Sequence, residues 1–88
     1  MQRIKQWKRL EAEGAMPGVP DLFIPVKSIG TIERQYSGLF IEMKSEDGRL
    51  SVDQKNIGSK LFDLGYQVKV CRSLDEFIQV VNNYLLSE

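Results

Sequence analysis

The sequence contains no histidine and a single cysteine, Cys71, among its 88 residues. A tetrahedral zinc site and a histidine-based catalytic triad are therefore excluded, because each requires side chains that this chain does not have. One cysteine cannot build a disulfide framework, and it is consistent with a reducing cytosol. Carboxylates, lysines and amides remain as the groups that could perform catalysis.

Long apolar segments are also missing. No apolar run approaches the roughly 18 residues that a transmembrane helix requires. The N-terminal segment MQRIKQWKRLEAEG is basic and amphipathic, and it lacks the apolar region of a signal peptide. We therefore expect a cytoplasmic protein without a membrane segment, located in the host cell cytoplasm if the chain is encoded by a phage.

The net charge of +0 argues mildly against nucleic acid as a partner. The distribution of charge is less even, because Arg3, Lys5, Lys8 and Arg9 lie together at one end with no acidic residue among them. A basic end can guide a phosphate backbone even when the total charge is neutral. The alternative is a solvated helix face, and charge alone favours that alternative.

The apolar content of 42% and charged content of 27% predict one globular domain over residues 1–88. Periodicity, capping patterns and glycine positions predict a helix over 2–13, strands over 21–26 and 39–44, a helix over 51–64, a strand over 66–72 and a final helix from 73 onward. A strand–helix–strand unit crosses over right-handedly, so the second and third strands should be parallel and the first two antiparallel. The predicted fold class is α/β, with a small mixed three-stranded sheet flanked by helices in the order α-β-β-α-β-α.

Two polar residues stand out at the end of the second predicted strand. Glu42 and Lys44 are two positions apart, so both side chains leave the same face of the sheet as Phe40. Taken alone, the pair is more simply explained as an ion pair where the strand enters solvent. Asp21 changes this interpretation, because an antiparallel neighbour can place it beside Glu42. Two converging carboxylates repel each other and need a cation between them, and an all-oxygen ligand set is typical of Mg²⁺ or Mn²⁺.

Gln54 is a fourth polar residue with an unusual position. It shares the sheet-facing stripe of its helix with Ile57, Leu61 and Leu64, and it occupies the first turn, where we expect it to lie near Lys44. Gly58 on this helix is expected to allow a close approach to the sheet. A buried amide must find hydrogen-bond partners. The alternative is that Gln54 only closes a capping box with Ser51.

These residues resemble the virus-type replication-repair nuclease (VRR-NUC) domain of the PD-(D/E)xK nuclease superfamily. The matching segments are Gly18-Val19-Pro20-Asp21, Gly38-Leu39-Phe40-Ile41-Glu42-Met43-Lys44, Gly48-Arg49-Leu50-Ser51 with Gln54, and Gly65-Tyr66. The resemblance extends from about Lys8 onward and is greatest to the compact stand-alone versions found in phages. It implies a restriction-endonuclease-like core and a Mg²⁺- or Mn²⁺-dependent deoxyribonuclease.

The resemblance also implies a role for each matching residue. Asp21 and Glu42 would hold the metal together with the backbone carbonyl of Met43. Lys44 would position or deprotonate the attacking water, and Gln54 would orient that group. Candidate DNA-binding residues are Lys5, Lys8, Arg9, Arg49 and Lys55.

The chain departs from the family pattern in one respect. Relatives usually carry an additional N-terminal helix whose glutamate joins the active site, and Glu11 and Glu13 do not match its position. The expectation is either a truncated form or a metal site made of two carboxylates, water and backbone oxygen.

The resemblance to phage relatives implies cleavage of branched DNA such as Holliday junctions. We also expect a homodimer, because the core is small, the sheet has two edges and Trp7 lies on a short helix with few residues to pack against. One alternative is a non-catalytic DNA-binding or assembly module that keeps the nuclease fold. Another is a structural α/β interaction domain in which the four polar residues have no shared role.

Overall fold

The computed structural model describes residues 17–28 and 35–86. Its elements in chain order are β1 (Leu22–Ile24), β2 (Leu39–Met43), α1 (Val52–Asp63), β3 (Gln67–Cys71) and α2 (Leu74–Leu86). The predicted helix over 2–13 lies outside the described residues. Within the described part, no helix is long and apolar enough to cross a membrane.

The three strands form one mixed sheet in the order β1-β2-β3. β1 pairs antiparallel with β2, and β2 pairs parallel with β3 across the α1 crossover. The predicted fold class and strand directions are confirmed for the described residues. The first strand is shorter than predicted because Pro25 offers no N–H to the ladder and because Met43 N–H donates to the Asp21 side chain.

The hydrophobic core lies between the sheet and α2. Its buried centre consists of Leu39, Ile41, Cys71 and Tyr84, with Ile24, Tyr36, Phe77, Val80 and Val81 packed around it. Leu39 and Ile41 alternate with Phe40 and Glu42 along β2, so the core occupies one face of the sheet and Glu42 belongs to the other. The predicted alternation of β2 is thus present in the structure.

The buried stripe of α2 differs from the sequence prediction. The sequence pattern predicts a buried stripe of Leu74, Phe77, Ile78, Val81 and Leu85 on this helix. Phe77 and Val81 pack against the core, but Leu74, Ile78 and Leu85 are 69%, 47% and 48% exposed. Val80 and Tyr84 take their place. Tyr84 explains the rotation, because its hydroxyl donates to the Val26 carbonyl and thereby fixes which face of the helix meets the sheet.

Two hydrogen bonds close the base of the β1–β2 connection. Ser28 N–H donates to the Tyr36 carbonyl at 2.9 Å, and Tyr36 N–H donates to Ser28 Oγ at 3.1 Å. Ser28 is buried, so both bonds are shielded from water. We call this pair of contacts the Ser28–Tyr36 clamp.

The segment before β1 passes close to the first turn of α1. Gly18 has φ +91°, and a Cβ there would lie 2.5 Å from the Asp53 carbonyl carbon and 2.7 Å from the Gln54 backbone nitrogen. Only glycine combines this backbone conformation with this approach. Gly58 is different, because an added Cβ would meet Val68 Cγ1 at an ordinary 3.6 Å. Gly58 does face the sheet, as expected, but this approach does not require glycine, since alanine fits there.

Gly18→Ala and Gly58→Ala should consequently change stability in opposite directions. The strained φ and the backbone collision at Gly18 should lower the free energy of unfolding by about 1–3 kcal/mol. Gly58→Ala should raise it by up to about 1 kcal/mol through helix propensity. Urea denaturation of both variants beside the parent chain measures these differences. Equal effects at the two positions would contradict the close approach of the 17–20 segment to α1.

Candidate active site

Asp21 lies opposite Glu42 at the point where β1 begins. β1 and β2 pair Leu22 with Ile41, and the same register carried one residue further places Asp21 across from Glu42. Directly opposed residues of antiparallel strands have Cβ atoms about 4.5–5.5 Å apart. Asp21 Oδ2 accepts a hydrogen bond from Met43 N–H at 2.9 Å, which fixes the carboxylate at the end of β2. The structure therefore brings the two predicted carboxylates together.

Glu42 is buried, and its two carboxylate oxygens have different surroundings. The residue is only 6% exposed. Oε2 accepts a hydrogen bond from Gln54 Nε2 at 2.9 Å and lies 3.8 Å from Lys44 Nζ. Oε1 is buried and has no hydrogen-bond partner among the described residues. An unpartnered buried carboxylate oxygen is costly, so it marks a position where a ligand can be bound.

Gln54 makes both of the contacts that the sequence analysis treated as alternatives. Its Oε1 accepts from Ser51 N–H at 2.8 Å, and Ser51 Oγ accepts from Gln54 N–H at 3.1 Å, which completes the capping box of α1. Its Nε2 is then directed to Glu42. Gln54 Nε2 donates to the same Glu42 oxygen that Lys44 Nζ approaches to 3.8 Å, so the amide lies near Lys44 as expected, with its hydrogen bond made to the carboxylate. The cap orients the amide, and the amide orients the carboxylate.

Lys44 emerges on the same face as Glu42. Its backbone N–H continues the parallel ladder by donating to the Cys71 carbonyl at 2.9 Å. Its side chain retains 21% exposure, compared with 8% for the Glu42 side chain. The amine therefore lies where the buried carboxylate meets solvent.

Burial is the main cause that raises the pKa of Glu42 above its ordinary value of 4.5. The negative charge of Asp21 raises this pKa further, while the positive charge of Lys44 opposes the shift. The poorly solvated carboxyl group of Glu42 thus lies near the exposed carboxyl group of Asp21. A cation placed between them would reverse both effects that raise the pKa.

These residues fit a hard divalent cation. The oxygens of Asp21 and Glu42 suit Mg²⁺ or Mn²⁺, and Glu42 Oε1 is an acceptor without a partner. The described residues contain no group of three or more His, Cys, Asp or Glu side chains that could hold a metal. A metal here would accordingly need backbone oxygen or water in addition to the two carboxylates.

A pocket of about 350 Å³ opens beside Glu42, between α1 and the sheet. Gly18 and Pro20 form one wall, Val68 and Val70 line the sheet side, and Lys55 belongs to the α1 side.

Phe23, Phe40 and Tyr66 form an aromatic cluster on the same face of the sheet, with Phe23 and Phe40 stacked at a centroid distance of 4.4 Å.

The predicted DNA-binding residues fall into two groups. Arg49 and Lys55 are exposed, on the loop before α1 and on α1 itself. Lys5, Lys8 and Arg9 lie outside the described residues.

Arg72 was not selected from the sequence as a functional residue, although its side chain contacts the loop that follows Lys44. Alternation along β3 could have shown it, because Arg72 follows Val68 and Val70 on the Glu42 face.

A family model described as the VRR-NUC domain matches residues 1–75. A solved structure described as a VRR_NUC domain protein is 28% identical in sequence and superimposes with a TM-score of 0.72. The match covers 88% of this chain and 60% of the chain in that structure, so this chain is similar to a part of that protein. A comparison with curated proteins found no match.

The raised pKa of Glu42 predicts that the free energy of unfolding of the metal-free protein depends on pH. The folded state keeps this proton at pH values where the unfolded chain has released it, so the free energy of unfolding falls as pH rises from the ordinary glutamate pKa through the raised one. Glu42→Gln should remove this fall. Thermal unfolding from pH 4 to 8 in EDTA should therefore show a Tm for Glu42→Gln that declines less than that of the parent chain.

Glu46→Gln is the matched control, because Glu46 is an exposed carboxylate on the adjacent loop. Its Tm profile should follow that of the parent chain. A parallel decline in all three proteins would contradict the electrostatic description of Glu42.

Proposed function

The chain belongs to the VRR-NUC domain family, and we propose that it is a Mg²⁺- or Mn²⁺-dependent endonuclease that hydrolyses phosphodiester bonds of DNA. The observation that carries this proposal is the buried Glu42 carboxylate, which has one oxygen held by Gln54 and the other without a hydrogen-bond partner in residues 17–28 and 35–86. Asp21 supplies a second carboxylate opposite it. DNA as the substrate agrees with a cytoplasmic location, that of a host cell if a phage encodes the chain.

Asp21 and Glu42 would hold the metal through their side chains, with the Met43 carbonyl as a further oxygen. When bound, a divalent metal lowers the pKa of water and stabilises negative charge on a phosphate. The Met43 N–H bond keeps the Asp21 carboxylate at the strand end. The Gln54 bond leaves Glu42 Oε1 as the acceptor available to the ion. The two residues thus present oxygens whose orientation is set before any ligand arrives.

Lys44 is proposed to position the attacking water or to accept its proton. The ion pair with Glu42 holds the amine at the entrance to the site. The flanking cations Arg49 and Lys55 are exposed and are proposed to contact the phosphate backbone, together with Lys5, Lys8 and Arg9. Phosphate contacts of this kind place a duplex without reading its sequence.

Branched DNA such as a four-way junction is the proposed substrate, and a homodimer is the proposed working unit. The choice of substrate is supported by the resemblance of the sequence motifs to those of stand-alone phage VRR-NUC proteins. Two structural observations support the dimer: β1 and β3 are edge strands among the described residues, and α2 exposes the apolar side chains of Leu74, Ile78 and Leu85. A twofold dimer would present two equal active sites to the two strands that a junction resolvase must cut.

A non-catalytic DNA-binding or assembly module is the second candidate. The observation in its favour is that Glu42, Lys44 and Gln54 already satisfy one another partly without a metal. Titration with Mn²⁺ separates the two functions. Only the nuclease requires the ion to bind at Asp21 and Glu42, so loss of binding in Asp21→Asn would support catalysis.

Lys44→Met should abolish cleavage while leaving folding and DNA binding intact. Methionine keeps the apolar stem of lysine but removes the amine, and loss of a proton-transfer group lowers the rate by about 10²–10⁴. Cleavage of matched linear, flap and four-way DNA with Mn²⁺ measures the effect. Lys60→Met is the control, because Lys60 is exposed on α1 and does not line the pocket beside Glu42. Activity of Lys44→Met within threefold of the parent chain would remove Lys44 from the mechanism.

The dimer predicts a defined mass in solution. Sedimentation at micromolar concentration should give twice the chain mass of 10.1 kDa. Junction DNA should bind one dimer and be cut on two strands within the lifetime of the complex. A species of single-chain mass with and without junction DNA would contradict the dimer and would favour single-strand nicking.

A further inference from the structure

Arg72 makes an unusual set of contacts for an exposed arginine. Its Nη1 donates to the Ser45 carbonyl at 2.9 Å and forms a short hydrogen bond to the Gly48 carbonyl, and the Glu46 carbonyl lies 3.4 Å away. All three acceptors belong to the turn that follows Lys44. Gly48 N–H closes the same turn by donating to the Ser45 carbonyl at 3.1 Å.

The position of Arg72 follows from the sheet. β2 and β3 pair Met43 with Cys71, so the next pair in the parallel register is Lys44 with Arg72. Lys44 and Arg72 each lie two positions beyond a residue whose side chain is on the same face of the sheet as Glu42. Their own side chains therefore project from that face as well. The Arg72 backbone is fixed as well, because its N–H donates to Glu76 Oε2 in the first turn of α2.

The anchored turn connects two parts of the candidate active site. Its first end is Lys44. Its other end leads through Leu50 to Ser51, whose N–H holds Gln54 Oε1, and Gln54 Nε2 in turn holds Glu42. A shift of the turn would therefore move the amine and weaken the contact that orients the carboxylate.

We propose that Arg72 is a positioning residue for the catalytic centre, whose guanidinium holds the 45–48 turn through backbone carbonyls and so fixes Lys44 and the Ser51–Gln54 cap relative to Glu42. The proposal rests on the proposed nuclease function for its effect on catalysis. A hydrogen bond from a charged donor is stronger than one between neutral groups, and the guanidinium remains charged at every relevant pH. Arg72 therefore acts on the reaction without touching the reacting atoms.

Three variants test the proposal. Arg72→Met removes the donors and keeps the stem. Arg72→Lys keeps a charge and one donor group. This variant replaces Arg72→Met in the test if the methionine variant fails to fold. Lys69→Met removes a cation from the same strand but from the opposite face of the sheet, where Lys69 is exposed.

Steady-state cleavage should separate positioning from phosphate binding. Arg72→Met should lower kcat by about 10- to 100-fold, as expected for misplaced catalytic groups, with KM for DNA within twofold of the parent value. Arg72→Lys should recover part of kcat, and Lys69→Met should match the parent chain. The proposal would be overturned by a raised KM together with a DNA affinity whose salt dependence falls by the equivalent of about one phosphate contact. Arg72 would then be a DNA-binding residue instead.

Hydrogen exchange gives a readout that does not depend on activity. The Gly48 and Ser51 amides should exchange faster in Arg72→Met than in the parent chain, while the amides of β2 and β3 keep their protection. Unchanged exchange at Gly48 and Ser51 would overturn the anchoring role. If the parent chain cleaves no DNA while these two amides respond as expected, the proposed function fails and the anchoring of the turn stands.

Discussion

The organisation of this domain depends on one buried carboxylate. Glu42 lies on the α1 side of the sheet, where a negative charge is poorly solvated, and within the described part of the chain only its Oε2 accepts a hydrogen bond of normal geometry. A fold normally avoids such a cost or compensates it completely. Here the compensation is incomplete at one atom, and Asp21 adds a second negative charge nearby. The surrounding contacts are best understood as devices that keep this unfavourable arrangement in place.

Those devices combine folding and site geometry in the same side chains. The side-chain oxygen of Gln54 takes part in the N-terminal cap of α1, and its side-chain nitrogen donates a hydrogen bond to Glu42. The backbone of Gly18 packs against the same helical turn and leads to Asp21. Because the first turn of α1 meets both the carboxylate and the segment before β1, the geometry of the site depends on that turn.

Several features of the fold and site could be predicted from the sequence. The alternation of β2 placed Glu42 and Lys44 on one face, and the spacing of Ser51 and Gln54 revealed a capping box. Side-chain hydrogen bonds across the sheet were harder to predict. The rotation of α2 depends on the Tyr84 hydroxyl reaching Val26, and the contact of Arg72 with the 45–48 turn depends on the register of β2 and β3. Periodicity records which face a residue occupies, but it does not record which distant carbonyl will lie within reach of it.

The Ser28–Tyr36 clamp holds the two ends of the β1–β2 connection together. The two hydrogen bonds set the distance and direction at which the chain leaves β1 and returns toward β2. The entropic cost of closing a loop grows only with the logarithm of its length, about 0.6 kcal/mol for each doubling. A segment grafted between these positions would thus leave the pairing of β1 with β2 intact. Because the closure entropy changes so slowly with length, the pairing of β1 with β2 that positions Asp21 should tolerate a change in the length of the chain between Ser28 and Tyr36.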